Sequence, residues 1–110
     1  MYKQGDIIFM PFPNDDFIGA KNRPAIVVGK NKSKAGSYIV AKITSVLRND
    51  SQCFLLNSAD ISLSLQRPSE VRCDCLMTVA EHTIIRKFGE LRNSALRNLC
   101  EQVKTNFDTP

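Results

Sequence analysis

The chain has 110 residues, enough for one domain with a buried core and too few for two, so we expect a single domain over 1–110. Hydrophobic residues make up 43% and charged residues 24%, values that exclude a disordered chain. Fifteen Lys and Arg against eleven Asp and Glu give a formal charge of +4, which is compatible with a polyanionic partner but does not require one.

No stretch approaches the roughly 20 apolar residues that a membrane-spanning helix needs, and we expect a cytoplasmic protein with no membrane association. The four cysteines match no disulfide framework and are expected to be reduced. Cys73 and Cys75 would share one face of a strand, but no second pair accompanies them and His82 is the only histidine. We therefore expect no metal site and no cofactor.

Apolar runs bounded by turn residues predict strands along the first two thirds of the chain. The run at 7–12, bounded by Pro11 and Pro13, predicts a strand that ends at a sheet edge, because proline cannot donate a hydrogen bond to a neighbouring strand. Residues 14–22 have the composition of an exposed loop. Residues 38–44 alternate in a way that predicts a strand with one buried face. The other predicted strands are 24–28, 53–56, 71–73 and 77–79.

The last segment follows a helical period. Asn93 or Ser94 could cap its start, Pro110 follows its last turn, and apolar side chains recur at Leu96, Leu99, Cys100, Val103 and Phe107. Several short strands followed by one amphipathic helix predict a mainly β fold, a small barrel with a C-terminal α-helix packed on it.

Four segments, in this order and spacing, resemble the MazF/PemK (Kid) toxins of type II toxin–antitoxin systems: GDIIFMPFP at 5–13, GAKNRPAIVV at 19–28, IVAKITS at 39–45 and SEVRCDCLMTV at 69–79. IIRKFGEL at 84–91 continues the resemblance towards the last helix. The resemblance implies an SH3-like small β-barrel that forms a homodimer. It also implies a metal-independent endoribonuclease that cleaves single-stranded RNA, usually mRNA, at short sequences and is restrained by a cognate antitoxin.

Metal-free RNA cleavage proceeds by attack of the ribose 2′-OH on the adjacent phosphorus. It needs a proton acceptor for that hydroxyl, a proton donor for the leaving 5′-oxygen, and positive charge around the phosphorane. The resemblance places four residues in this chemistry: Arg23, Thr44, Arg72 and Asp74.

Arg23 matches the arginine of the family's RP motif and is expected to clasp phosphate oxygens with its planar donors. Without the family, it would be expected to pair with Asp15, Asp16 or another carboxylate. Thr44 matches the threonine that ends the family's third strand and could hydrogen-bond the scissile phosphate. A β-branched residue at a strand end also needs no functional explanation.

Arg72 and Asp74 match the RCD motif of the Kid branch and would project to one face of a strand. Asp74 is the candidate base, and Arg72 is expected to stabilise charge because arginine scarcely deprotonates. Alternatively, the two form a surface ion pair worth at most about 1 kcal/mol. Some relatives carry a histidine or glutamate in the first long loop. This chain has Asn14, Asp15 and Asp16 there, so a proton-transfer partner is missing or replaced.

Further side chains near these motifs could bind RNA. Ser45 is a second hydroxyl donor beside Thr44, and Phe17 could stack on a base. A basic rim along the RNA backbone would draw on Lys21, Lys30, Lys32, Lys34 and Lys42.

Two other functions remain open. The first is an RNA-binding barrel of the same fold without catalysis. The second is a DNA-gyrase poison like the CcdB toxins, which share the barrel and bind protein. The RP and ITS motifs argue against the gyrase poison because they belong to the ribonuclease branch.

Overall fold

The computed structural model describes residues 1–14, 16, 18–62, 65 and 67–107. Within these residues the strands are β1 (Asp6–Pro13), β2 (Ala20–Lys30), β3 (Ser37–Thr44), β4 (Cys53–Leu56), β5 (Ser69–Ala80) and β6 (Arg86–Glu90), followed by helix α1 (Asn93–Thr105). All pairings are antiparallel, in the order β4-β5-β3-β2-β1-β6. The strands form a curled sheet, a half-barrel, so the predicted mainly β fold with a C-terminal helix is confirmed.

Both faces of the sheet are buried. The helix-side core consists of Ile7, Ile26, Ala41, Ile43, Leu56, Ile61, Val71, Cys73, Leu91, Ala95 and Leu99. The far-side core consists of Ile8, Met10, Phe12, Ala25, Val27, Tyr38, Val40, Val79 and Ile84. Strand β3 contributes to both, so the prediction that it has one buried face is wrong. The curled sheet covers its second face with its own side chains, which a local alternation pattern does not reveal.

Strand β1 is not an edge strand, because β2 and β6 flank it. Its pairing with β6 ends at Phe9, whereas its pairing with β2 continues to Pro13. Pro11 and Pro13 therefore lie on the part of β1 that β6 leaves uncovered, where a missing N–H costs no ladder hydrogen bond. The prediction that this strand ends at a sheet edge therefore agrees with the pairing of β1.

Two strands differ in extent from their predictions. Strand β2 begins at Ala20, so Arg23 lies inside the strand, opposite Met10, and the preceding loop is shorter than 14–22. The β1–β2 pairing continues through the polar residues 21–23, and a prediction based on apolar residues does not detect this part of the strand. Strand β6 was not predicted, because Arg86, Lys87 and Glu90 give it the composition of an exposed edge.

The segments 71–73 and 77–79 belong to one strand, β5, which carries a bulge. Neighbouring residues of β3 pair with Arg72 and Leu76, which leaves 73–75 without counterparts on β3. The bulge changes the alternation of faces: Cys73 lies in the helix-side core, whereas Cys75 packs against the far-side core. The expectation that these cysteines share a face is therefore wrong.

Helix α1 packs through Ala95 and Leu99. Its N-cap position is Arg92, with no side-chain cap, so the predicted caps Asn93 and Ser94 are wrong. Arg92 fixes this end differently, since its amide donates to the carbonyl of Asp60 at 2.7 Å. The four cysteines, all within the described residues, form no disulfide with one another. No helix in the described part of the chain is long and apolar enough to cross a bilayer.

Candidate functional site

The first part of β2, the end of β3 and the start of β5 enclose a cleft of about 360 Å³, called the Arg23 cleft below. It contains three of the predicted site residues, Arg23 from β2 and the adjacent Thr44 and Ser45 at the end of β3. Its described lining residues are Asn22, Arg23, Pro24, Ile43, Thr44, Ser45, Val46, Leu65, Arg67 and Ser69.

The guanidinium of Arg23 is not neutralised by any described carboxylate. Its Nη2 donates to Asn14 Oδ1 at 3.3 Å, while its Nε is shielded from solvent and has no acceptor among the described residues. Asp16 accepts from the amide of Ile18 and forms no ion pair with Arg23. Asp15, the other candidate partner, lies outside the described residues. Within the described chain, Arg23 therefore brings an uncompensated positive charge to the cleft.

Thr44 and Ser45 bring hydroxyl groups to the same cleft. Thr44 is the last residue of β3 and is half-buried. Its Oγ1 accepts a hydrogen bond from the amide of Val46 at 3.1 Å, which fixes the turn after the strand. The hydroxyl hydrogen of Thr44 is still available for an acceptor. Ser45 follows directly and is exposed.

Sequence reasoning missed Arg67, an exposed residue that lines the cleft. It also lines an adjoining recess of about 290 Å³, whose apolar walls are Leu55, Leu56, Ile61, Leu65 and Pro68. A signal was present in the sequence. Arg67-Pro68 precedes β5 and repeats the Arg-Pro pair of residues 23 and 24.

Glu70 was also missed, and it is the most buried charged group near the cleft, with 1% of its surface exposed. It accepts hydrogen bonds from Arg72 Nε at 2.9 Å and from the amides of Arg48 at 3.1 Å and Asn49 at 3.3 Å. Burial acts to raise the pKa of Glu70. Hydrogen bonds from the Cys53 thiol, these two amides and Arg72 outweigh burial and hold the pKa below its ordinary value.

Arg72 lies behind one wall of the cleft. Besides its bond to Glu70, its Nη2 donates to the carbonyl of Val46 at 2.5 Å, and Val46 lines the cleft. The side chain of Arg72 is 15% exposed. Arg72 is therefore neutralised and held in place, unlike Arg23.

Asp74, which lies in the bulge at 73–75, forms no ion pair with Arg72. Its carboxylate, 39% exposed, accepts from Arg48 Nη2 at 3.0 Å. Arg48 also contacts Asp50 Oδ2 at 3.2 Å. The Asp74 carboxylate is the main cause of a raised pKa of Arg48. The alternative interpretation, a surface ion pair between Arg72 and Asp74, is therefore wrong: the observed pairs are Arg72–Glu70 and Arg48–Asp74.

The remaining RNA-binding candidates are dispersed. Lys21 is exposed at the cleft end of β2, and Lys30 is exposed at the other end, about 30 Å away along the strand. Lys42 is only 8% exposed, since it lies on β3 between β2 and β5. These lysines do not form one continuous rim. Phe17 lies outside the described residues.

No group of His, Cys, Asp and Glu within the described ranges is arranged to hold a metal ion. His82 is exposed in a 3₁₀ turn that follows β5, at the end of the sheet opposite the cleft.

The fold resembles that of several solved toxins. Mycobacterium tuberculosis toxin MazF-mt6 is 23% identical, with a TM-score of 0.72 over 96% of this chain and 98% of that one. An endoribonuclease in complex with its cognate antitoxin from Mycobacterial species is 12% identical, with a TM-score of 0.76 over 100% and 98%. The MazE-MazF structure (Form-II) from Deinococcus radiodurans is 14% identical, with a TM-score of 0.73 over 96% and 95%.

Comparison with curated protein sequences finds no match. A family model described as PemK-like, MazF-like toxin of type II toxin-antitoxin system matches residues 3–107. These residues include β1 to β6, α1 and all the described residues of the Arg23 cleft. The chain therefore belongs to the PemK-like, MazF-like family of type II toxin–antitoxin toxins.

Proposed function

We propose that the chain is a metal-independent endoribonuclease that cleaves single-stranded RNA, such as mRNA, by attack of a 2′-OH on the adjacent phosphorus. The observation that carries the proposal is the Arg23 cleft. It holds a guanidinium that no described carboxylate neutralises, beside the hydroxyls of Thr44 and Ser45. Family membership supports the same reaction, and one mycobacterial protein of this fold is an endoribonuclease.

In this proposal a backbone phosphate occupies the Arg23 cleft. Arg23 and Arg67 neutralise its non-bridging oxygens, and their effect grows as negative charge accumulates in the phosphorane. The hydroxyl of Thr44 donates to the same phosphate. The apolar recess beside Arg67 provides a dry surface for a neighbouring base.

The proton acceptor of the proposed reaction lies outside the lining of the Arg23 cleft. No described residue that lines the cleft is a carboxylate or a histidine. We assign the role to Asp74, whose carboxylate lies in the bulge at 73–75, is 39% exposed and is held by Arg48. The 5′-oxygen that leaves the phosphorus takes its proton from solvent, since no described residue lining the cleft is an acid. The RNA must then pass from the cleft across Val46 to reach Asp74, with Arg72 stabilising charge beneath this path.

We further propose that a cognate antitoxin covers the cleft of a toxin homodimer. Two solved proteins of this fold are complexes with a cognate antitoxin or with MazE. A chain with a formal charge of +4 suits an acidic antitoxin segment that folds as it binds.

The test is incubation of the purified protein with a long single-stranded RNA in EDTA, with mapping of the fragment ends. Wild type should cut at discrete sites and leave 2′,3′-cyclic phosphates. Arg23→Ala should lower the cleavage rate by a factor of about 10² to 10³, the usual effect of removing one transition-state donor, and Asp74→Ala should also impair cleavage.

Arg97→Ala is the matched control, because Arg97 is exposed on α1 and does not line the Arg23 cleft. This variant should cut like wild type. Intact RNA with wild type would contradict the proposal and would favour the inactive RNA-binding barrel or the gyrase poison. A gyrase poison would lose its toxicity in cells that carry a resistant gyrase.

A further inference from the structure

We infer that Glu70 is a positioning residue of this site, a single buried carboxylate that orients Arg72 and holds the segment 45–50 in place. The inference rests on the proposed function to the extent that the proposal places Arg72 beneath the RNA. Glu70 itself does not line the Arg23 cleft and, at 1% exposure, cannot touch RNA. Its effect must therefore pass through the groups that it binds.

The first of these groups is the guanidinium of Arg72. Glu70 Oε2 accepts from Nε at 2.9 Å, and the carbonyl of Val46 accepts from Nη2 at 2.5 Å. Two acceptors on different segments fix the plane of the guanidinium. Glu70 thus determines the orientation of Arg72.

The second group is the segment that follows Thr44 and Ser45. Glu70 Oε1 accepts from the amides of Arg48 and Asn49, and Asn49 has a φ of 54°, in the left-handed region. These bonds hold the turn that carries Val46 along the cleft. They also place Arg48, whose side chain holds Asp74. One carboxylate therefore links both arginine–carboxylate pairs to the cleft wall.

The positioning of Arg72 and of the segment 45–50 requires the negative charge of Glu70. A neutral side chain of the same shape is insufficient. Every backbone or guanidinium partner that faces the carboxylate is an N–H donor. A glutamine has nearly the same volume but replaces one acceptor oxygen by an NH₂ donor. Glu70→Gln must therefore turn a donor towards either Arg72 or the 48–49 amides and lose that contact.

The matched control is Asp6→Asn. Asp6 is also a buried carboxylate, 2% exposed, that is surrounded by donors: the amide of Lys3 and the ammonium groups of Lys3 at 3.1 Å and Lys87 at 3.0 Å. It lies at the start of β1, paired with Glu90 of β6, and does not line the Arg23 cleft. Asp6→Asn reproduces the loss of a buried charge without altering Arg72.

The experiment measures kcat and KM with a short RNA substrate, at a temperature where thermal denaturation shows each variant folded. Glu70→Gln should lower kcat at least about 10-fold and change KM much less, since misplacing a group that acts on the transition state costs rate. Asp6→Asn should retain wild-type kcat. Wild-type kcat in Glu70→Gln, or an equal loss in both variants, would overturn the inference.

A second readout separates this inference from the proposed function. The Nε–H proton of Arg72, assigned by its disappearance in Arg72→Lys, should exchange slowly in the NMR spectrum of wild type and rapidly in Glu70→Leu, which removes both acceptor oxygens. If wild type fails to cleave RNA, the proposed function fails and this readout alone decides the positioning of Arg72. Unchanged exchange in Glu70→Leu would overturn the inference.

Discussion

Three arginines of the site region carry the same charge in different environments. Arg72 is bound to the buried Glu70, and Arg48 is bound to the half-exposed Asp74. Arg23 has only the amide oxygen of Asn14 among the described residues. A guanidinium without a carboxylate partner can bind phosphate without first breaking an ion pair. Arg23 is therefore suited to bind the phosphate directly, whereas Arg48 and Arg72 are suited to hold the surroundings in place.

Buried carboxylates also determine how stability depends on pH. The pKa of Glu70 and the pKa of Asp6 are both held below their ordinary values, because hydrogen bonds from neighbouring donors outweigh burial. A carboxyl group with a lowered pKa stabilises the native state at neutral pH. This stabilisation is lost as the pH falls below the ordinary values of 4.5 for Glu70 and 3.8 for Asp6.

We therefore expect the melting temperature of wild type to fall as the pH is lowered from neutral to about 3. Glu70→Gln should be less stable than wild type at neutral pH, by roughly 3 kcal/mol. Its stability should depend less on pH in the acid range, since one of the responsible groups is gone. Thermal unfolding followed by circular dichroism checks both expectations. If the melting temperatures of wild type and Glu70→Gln fall in parallel as the pH is lowered, Glu70 is not responsible for the pH dependence of stability.

At the scale of elements, the sheet is stabilised on one face by α1 and on the other by its own curl. Ala95 and Leu99 of α1 are buried, and Leu99 has no exposed surface. The helix has no side-chain cap at its N-terminus, so its attachment depends on this apolar contact and on the backbone bond from Arg92 to Asp60.

Leu99→Ala should therefore lower the free energy of unfolding by about 3 kcal/mol, since it removes a fully buried side chain and leaves a cavity. Ile85→Ala is the comparison, because the Ile85 side chain is 51% exposed and its loss should cost less than about 1 kcal/mol. Urea denaturation measures both values. Equal losses in the two variants would mean that α1 contributes little to the core.

At the scale of the whole molecule, two groups of basic side chains lie at opposite ends of the sheet. Lys21, Arg23 and Arg67 lie at the cleft end. Lys30, Lys32 and Lys34 lie at or next to the turn 31–36, about 30 Å from Lys21 along β2. A short RNA held in the Arg23 cleft should contact the first group and miss the second.

Replacing Lys30, Lys32 and Lys34 together by Gln should leave RNA affinity within about twofold of wild type, with an unchanged salt dependence. Arg67→Gln should weaken binding and reduce the slope of log K against log[salt] by about 0.7, the value for one contact to a single-stranded phosphate. Fluorescence anisotropy with a short 2′-deoxy-substituted RNA over a range of KCl concentrations measures both. A smaller slope of log K against log[salt] in the triple variant would mean that RNA contacts Lys30, Lys32 or Lys34, and would contradict the prediction.

Local patterns in the sequence were sufficient for the fold class, for the strand at 53–56 and for the helical period of the last segment. The resemblance of short motifs to the toxin family indicated Arg23, Thr44 and Ser45, which the structure brings into one cleft. Each of these features is encoded within a few neighbouring residues, as an alternation, a period or a short motif. A local pattern is therefore enough to detect it.

Only the tertiary structure decided which charged groups meet. Arg48 lies 26 residues from Asp74, and Glu70 lies 22 residues from the amide of Arg48. Arg72 and Asp74 form no ion pair with each other, although their spacing suggested one, and Asp74 lies in the bulge at 73–75. Strand register and bulges depend on the packing of many residues in both cores. A short segment of the sequence does not contain this information. The sequence by itself therefore determined the fold class and candidate residues, while long-range packing determined their partners.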